Sequence, residues 1–158
     1  MSRERQDLLS RSALGVFRLN GQFLAVAEEL ARPAGLTAAW WQVLGAVLGE
    51  PLPVSGIARA MGITRQSVQR IADLLVERGL AEYRPNPAHR RAKLLAPTEE
   101  GRAAIARIGP GHAAFADRLA EAFGETELTE AVHVLERLSK VLDQVGPPAE
   151  QPSPVTEP

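Results

Sequence analysis

Two short stretches of the chain carry side chains able to do chemistry on a partner. Residues 64–70, TRQSVQR, set Thr64, Arg65, Gln66, Ser67, Gln69 and Arg70 close together, and residues 84–94, RPNPAHRRAKL, set Arg84, His89, Arg90, Arg91 and Lys93 around two prolines. A glutamine amide can pair with an adenine edge and a guanidinium with guanine or with phosphate, so the first stretch has the means to read bases. Thr64 and Ser67, with the free N–H groups of a first helical turn, suit a phosphate. The second stretch is rich in cations and poor in anything else. Its arginines suit a narrow minor groove, where negative potential is concentrated, and Lys93 and Arg84 suit phosphates. Whether Arg90 or Arg91 enters such a groove is open at this level.

Charge along the chain supports a polyanion as the partner. The net charge is −1, yet residues 59–93 hold eight Lys/Arg against three acids, a local +5, and the remainder carries −6. Such asymmetry suggests one cationic face on an otherwise acidic body. Enzyme chemistry has little to stand on. There is no cysteine, the three histidines (His89, His112, His133) are far apart in sequence, and neither a metal-ligand spacing such as HExxH nor a Gly-rich phosphate loop occurs. We therefore expect no catalysis, no metal and no cofactor. The charged MSRERQDLLSRS start lacks the apolar run of a signal peptide, and no stretch approaches the ~20 apolar residues of a membrane span. A cytoplasmic protein without membrane contact is the expectation.

The elements that must position these residues are helical. With 158 residues, 45% hydrophobic content and 4% aromatics, the chain suits one mostly α domain. Apolar residues recur at helical spacing from Asp7 to Ala31, ending at Arg32-Pro33. Thr37 caps a second helix, AAWWQVLGAVLGE, stopped by Gly49 and Pro51. Pro53 fits the first turn of a third, VSGIARAM. Thr64 caps a fourth, with Val68, Ile71, Ala72 and Leu75 on one face and Gly79 placed to end it. AEYRP and RAKLL flank a turn and predict a two-stranded hairpin. Thr98-Glu99-Glu100 opens a fifth helix to about Phe123, on a stripe of Ile105, Ile108, Phe115 and Leu119; Gly109-Pro110-Gly111 within it must kink or split it. A sixth, after Thr126, bears a seam of Leu128, Val132, Leu135, Leu138, Leu142 and Val145. The five prolines from Gly146 onward predict a disordered tail.

Helix, turn, helix and basic hairpin in that order make a winged helix-turn-helix, in which the second helix lies in the major groove. The fold class is thus mostly α: a winged helix-turn-helix with a two-stranded β wing and long terminal dimerisation helices. The expected organisation is an N-terminal dimerisation helix over 1–35, the DNA-binding region over 36–98, C-terminal dimerisation helices over 99–145 and the tail over 146–158. The runner-up is a winged-helix adaptor that uses its wing for protein partners without binding DNA.

LTAAWWQVLGAVLGE, PVSGIARAMGITRQSVQRIADLLVERGLAEYRPNP and HRRAKLLAPTEEG together resemble the MarR family of bacterial regulators over residues 36–105. The resemblance implies a homodimer on a pseudo-palindromic operator in double-stranded DNA, usually a repressor, released when a small, often phenolic, ligand binds between the dimer helices and the winged region. On that implication Phe17, Phe23, Trp40, Trp41 and His112 are candidates to line a site for a small aromatic effector, although aromatics at helical spacing also suit a core, and a hydrogen-bonded core position suits His112. The family's wing carries Asp-x-Arg and then Leu-Thr-x-x-Gly; the matching positions are His89, Arg91, Pro97, Thr98 and Gly101. Two departures follow. His89 replaces the wing aspartate, so Arg91 needs another orienting partner and the tip gains a charge that depends on pH. Pro97 replaces the leucine, which leaves the second strand without one N–H donor and predicts a short, edge-like wing.

Overall fold

The computed structural model describes residues 2–147, so all but the first two residues of the proline-rich tail lie outside it. Its elements run α1 (Ser2–Ala31), a single 3₁₀ turn (Arg32–Ala34), α2 (Ala38–Ala46), β1 (Leu52–Pro53), α3 (Val54–Met61), α4 (Arg65–Glu77), β2 (Ala81–Arg84), β3 (Leu94–Pro97), α5 (Glu99–Phe123) and α6 (Glu125–Val145). The mostly α winged helix-turn-helix is as the sequence predicts. One compact unit runs through Ala113 and a second begins at Ala114.

The core of the first unit explains why the segments fold where they do. Val43, Leu44 and Val47 from α2 and the turn after it, Ile57 from α3, Val68, Ala72 and Leu75 from α4, Leu95 from β3 and Ile108 from α5 are all essentially inaccessible. Each such Val, Leu or Ile contributes about 1.5–3 kcal/mol through burial. Because that apolar set occupies one side of α4, its polar residues must face outward. Helix ends are fixed by local chemistry. Thr37 Oγ1 accepts from Trp40 N–H at 3.1 Å, and the Glu28 carboxylate of α1 accepts from Ala38 N–H at 3.0 Å, so α1 helps cap α2. At the other end of α4, Gly79 takes φ +73°. The Gly79 N–H donates to Val76 O and the Leu80 N–H to Leu75 O, the paired bonds of a Schellman stop that turns the chain into the wing.

Several expectations need correction. α1 begins at Ser2, five residues before the periodicity at Asp7 indicates, and α2 ends at Ala46, before Gly49 and Pro51 are reached. Pro53 is the N-cap of α3 and not a residue of its first turn. The two-stranded wing of β2 and β3 is present, and a strand that the sequence did not signal joins it: β1 pairs with β3 through Leu52↔Leu95 and Pro53↔Leu94, making a three-stranded sheet of order β1-β3-β2. A two-residue strand containing proline carries no alternation to reveal it. β3 is consequently the central strand, not an edge. Pro97 is tolerated there because the adjacent ladder bond is donated by Thr98 N–H to Leu80 O at 3.1 Å, and the Pro97–Ala81 pair asks for no donor from the proline.

α5 is continuous from Glu99 to Phe123 with Pro110 inside it, so the Gly109-Pro110-Gly111 break does not split the helix. The restriction that proline imposes on its predecessor acts partly through that residue's Cβ, which Gly109 lacks. His112 is exposed and not a core residue, and His133 is likewise exposed. In the second unit none of α6 is buried.

Candidate nucleic-acid interface

The open face of α4 and the wing form one surface. Arg65, Gln66 and Gln69 from α4, Ser55 from the start of α3, and Tyr83, Arg91 and Lys93 from the wing line a groove of about 590 Å³. A second hollow of about 400 Å³ is lined by Arg84, Pro85, Asn86, Arg90, Lys93 and Tyr83. Adjacent arginines therefore serve different hollows: Arg91 stands with the side chains of α4, Arg90 with the outer edge of β2. The turn between the strands is held locally. Asn86 Oδ1 accepts from Ala88 N–H at 3.0 Å, and the Ala92 N–H donates to His89 O.

The structure brings most of the expected contact residues to this surface, though it employs some of them internally. Arg65, Arg70, Arg90, Arg91 and Lys93 are exposed and, among the described residues, have no carboxylate within 4.0 Å. Five cations therefore have no carboxylate partner among the described residues. Arg84 differs, since its guanidinium donates to Glu82 Oε1 at 2.9 and 2.8 Å. That exposed pair contributes about 0–1 kcal/mol and can exchange for a phosphate. Thr64 is occupied as the N-cap: its hydroxyl accepts from Ser67 N–H at 3.1 Å and donates to Ser67 Oγ at 2.9 Å. Among the described residues the first-turn N–H groups of Arg65 and Gln66 have no acceptor, at the positive end of α4.

A three-residue network ties α4 to the wing. Gln69 Nε2 donates to Asp73 Oδ1 at 3.0 Å and to Tyr83 Oη at 2.9 Å, and Tyr83 Oη donates to Asp73 Oδ1 at 2.5 Å. Burial first, then the hydrogen bond and negative charge of Asp73, push the Tyr83 hydroxyl up to about 12. Sequence reasoning places Gln69 and Asp73 on one face, four residues apart, but no sequence signal joins Tyr83 to them across the turn.

The aromatic candidates divide. Trp41 meets His112 edge-on, with ring centroids 5.6 Å apart, and Trp40 is covered by the Arg78 guanidinium 5.5 Å from its ring centre. Both tryptophans are half-buried against the core, whereas Phe17 and Phe23 stand 70% and 55% exposed on α1.

Residues 34–92, which span α2 to the tip of the wing, match the model of the MarR family. The protein Rv2011c of Mycobacterium tuberculosis, uncharacterised, is 38% identical over 141 residues, covering 89% of this chain and 99% of its own. The chain belongs to the MarR family. CouR, a transcriptional repressor solved with a 23-mer DNA duplex, is 28% identical with a TM-score of 0.70, covering 79% of this chain and 89% of its own. CouR from Rhodococcus jostii solved with p-coumaroyl-CoA matches at the same identity and a TM-score of 0.66, over 78% and 87% of the two chains. Members of the MarR family are DNA-binding transcriptional regulators without enzymatic activity, and this chain is one of them. Among the described residues no helix is long and apolar enough to cross a membrane.

Proposed function

We propose that this MarR-family regulator acts in the cytoplasm as a homodimeric repressor that lays α4 of each copy in successive major grooves of a pseudo-palindromic operator. The observation that carries this reading is the continuous surface of Arg65, Gln66, Gln69, Arg91 and Lys93 around one groove. Arg65, Gln66, Gln69 and Arg70 face base edges, with Ser67 and the open N–H groups beneath Thr64 toward a phosphate. Arg91 and Lys93, on the α4 side of the wing, grip the backbone between grooves. Arg90, in the outer hollow beside Arg84, is the arginine that reaches the next minor groove.

Dimerisation is supported by apolar side chains that stand exposed among the described residues. Leu8, Leu9, Leu14, Val16, Phe17, Leu19 and Phe23 are exposed on α1, and Val132, Leu135, Leu138, Leu142 and Val145 on α6. Faces of this extent belong against a partner, here a second copy. The edge-on pair of Trp41 and His112, with Trp40 nearby in α2, is the place for a small aromatic effector, as CouR binds an aromatic acyl thioester; Phe17 and Phe23 join it only if the second copy brings them there. An effector releases DNA by preferring the conformation that fits the operator poorly.

The test is protection of DNA flanking the protein's own coding region. Two chains protecting an inverted repeat whose half-sites lie ~10 bp apart agrees with this reading. Protection of a single asymmetric half-site by one chain overturns the dimeric part of it.

A further inference from the structure

The Gln69–Asp73–Tyr83 triangle joins α4 to the wing through a side chain that also faces the groove. An Asp73 carboxylate only accepts, so the atom of the Gln69 amide that faces it is the nitrogen. The sides of 3.0, 2.9 and 2.5 Å place Asp73 Oδ1 and Tyr83 Oη about 50° apart as seen from that nitrogen, so one N–H serves both acceptors. The second N–H stays free. Oε1 makes no hydrogen bond among the described residues, and the amide thus keeps one donor and one acceptor for a partner. Gln69 is exposed and lines the groove with Arg65, Gln66 and Arg91. Gln66, exposed on the same groove, has no side-chain hydrogen bond among the described residues and so lacks such a restraint.

We infer that Tyr83 and Asp73 are positioning residues that hold the Gln69 amide ready for its base, so that the wing sharpens what α4 reads without touching that base. This rests on the placement of α4 in the major groove proposed above. A free glutamine side chain populates several rotamers, and ordering it on binding lowers affinity for the sequences in which it makes a contact. A triangle formed before DNA arrives removes that loss from the binding step. The matched base gains; a mismatched base, which Gln69 does not engage, gains nothing. Discrimination therefore rises at one base position and at no other. Asp73 also has an effect on every sequence alike, because its carboxylate is an anion on a surface that meets phosphates. The two effects separate in Asp73→Asn, which keeps an accepting oxygen and drops the charge.

The experiment uses the full chain. An operator is selected from random duplex, and a pool randomised across one of its half-sites is sequenced before and after retention by each variant. Gln69→Ala should flatten one position and so identify the base that Gln69 contacts. At that position Tyr83→Phe, which keeps the ring that packs against the core, should lower the preference for the favoured base by about threefold, and Asp73→Ala by a similar factor. Asp73→Asn should hold the wild-type preference while binding all duplexes more tightly. The position that Gln66→Ala flattens should be unmoved by any of these. In a Gln69→Ala background, Tyr83→Phe should change no position further. A merely structural role for the triangle would weaken all duplexes alike and leave the preference as it was. A preference unchanged or stronger in folded Tyr83→Phe and Asp73→Ala, or lost as fully in Asp73→Asn, overturns the inference; a stronger one would mean that the triangle holds Gln69 back from DNA. Asp73 is exposed on α4, so Asp73→Ala carries the test should Tyr83→Phe fail to fold. Retention of no duplex by any variant, including the wild type, or a Gln69→Ala that flattens no position, overturns the α4 placement beneath the inference and the inference with it.

Discussion

Gly101→Ala gives a test in which the sign alone decides. An added Cβ at Gly101 would lie 2.0 Å from Leu80 O and 3.0 Å from Leu80 C, with Leu44 Cδ2 at 3.5 Å. The two closest atoms are backbone, so no side chain can swing aside, and α5 must retreat by about 1 Å or more to restore ordinary contact. Leu80 O is also the acceptor for Thr98 N–H, and Thr98 Oγ1 caps Gly101 N–H at 3.1 Å while donating to Gly79 O at 2.7 Å. A shift of that size breaks this junction of α4, the wing and α5. Overpacking costs about 1–3 kcal/mol and an unsatisfied buried group about 1–3 kcal/mol more. Helix propensity works the other way, favouring alanine over glycine by about 1 kcal/mol. The net expectation is destabilisation of roughly 3 kcal/mol, a fall in melting temperature of about 10 °C for a chain of this size. Urea denaturation and thermal melting measure it, with Gly45→Ala in α2 as control because nothing lies within 4 Å of its added Cβ. Both variants stabilising by about 1 kcal/mol would refute the close approach at Leu80.

Further expectations concern the surface. The chain has one tyrosine, so alkaline absorbance titration reports Tyr83 alone; it should ionise near 12, and a midpoint near 10 would show the network absent in solution. Because that folded pKa is raised, its contribution to stability is whole below pH 10 and disappears as pH climbs through 12, a loss that Tyr83→Phe should abolish. Leu142→Glu, on the exposed seam of α6, should leave a helical but monomeric chain by sedimentation, and an unchanged sedimentation coefficient would move the dimer contact elsewhere. Gln66→Ala should weaken binding to a selected operator by about tenfold while scarcely affecting random duplex; equal losses on both would remove it from base contact.

Much of the site was legible because its elements are marked by local chemistry. Thr64 caps α4, Gly79 ends it, and the buried set of Val68, Ile71, Ala72 and Leu75 determines which residues remain outside. These signals act within a few residues of each other, and periodicity reads them directly. What escaped depends on contacts made across the chain. β1 is too short for a pattern and exists only because β3 passes beside it. The bond from Tyr83 to Gln69 spans the turn into β2, and the pairing of Arg84 with Glu82 shows only once the strand is built. Pro110 predicts a break because a helix interior penalises proline by about 3 kcal/mol; Gly109 before it and the burial of Ile108 beside it favour continuity. His112 falls on an apolar stripe by spacing, yet that stripe is fully buried only as far as Ile108, and the turn bearing His112 is exposed.

The central claim is that the groove between α4 and the wing binds the phosphate backbone and bases together, and the salt dependence of operator affinity tests it most directly. Each neutralised phosphate contributes about −0.9 to the slope of log affinity against log salt. A steep slope is expected for the wild type, shallower by about 1 per subunit contact for Lys93→Ala, with the loss shared alike by operator and random duplex. An affinity indifferent to salt, or a slope that Lys93→Ala, Arg91→Ala and Arg65→Ala all leave untouched, would contradict it.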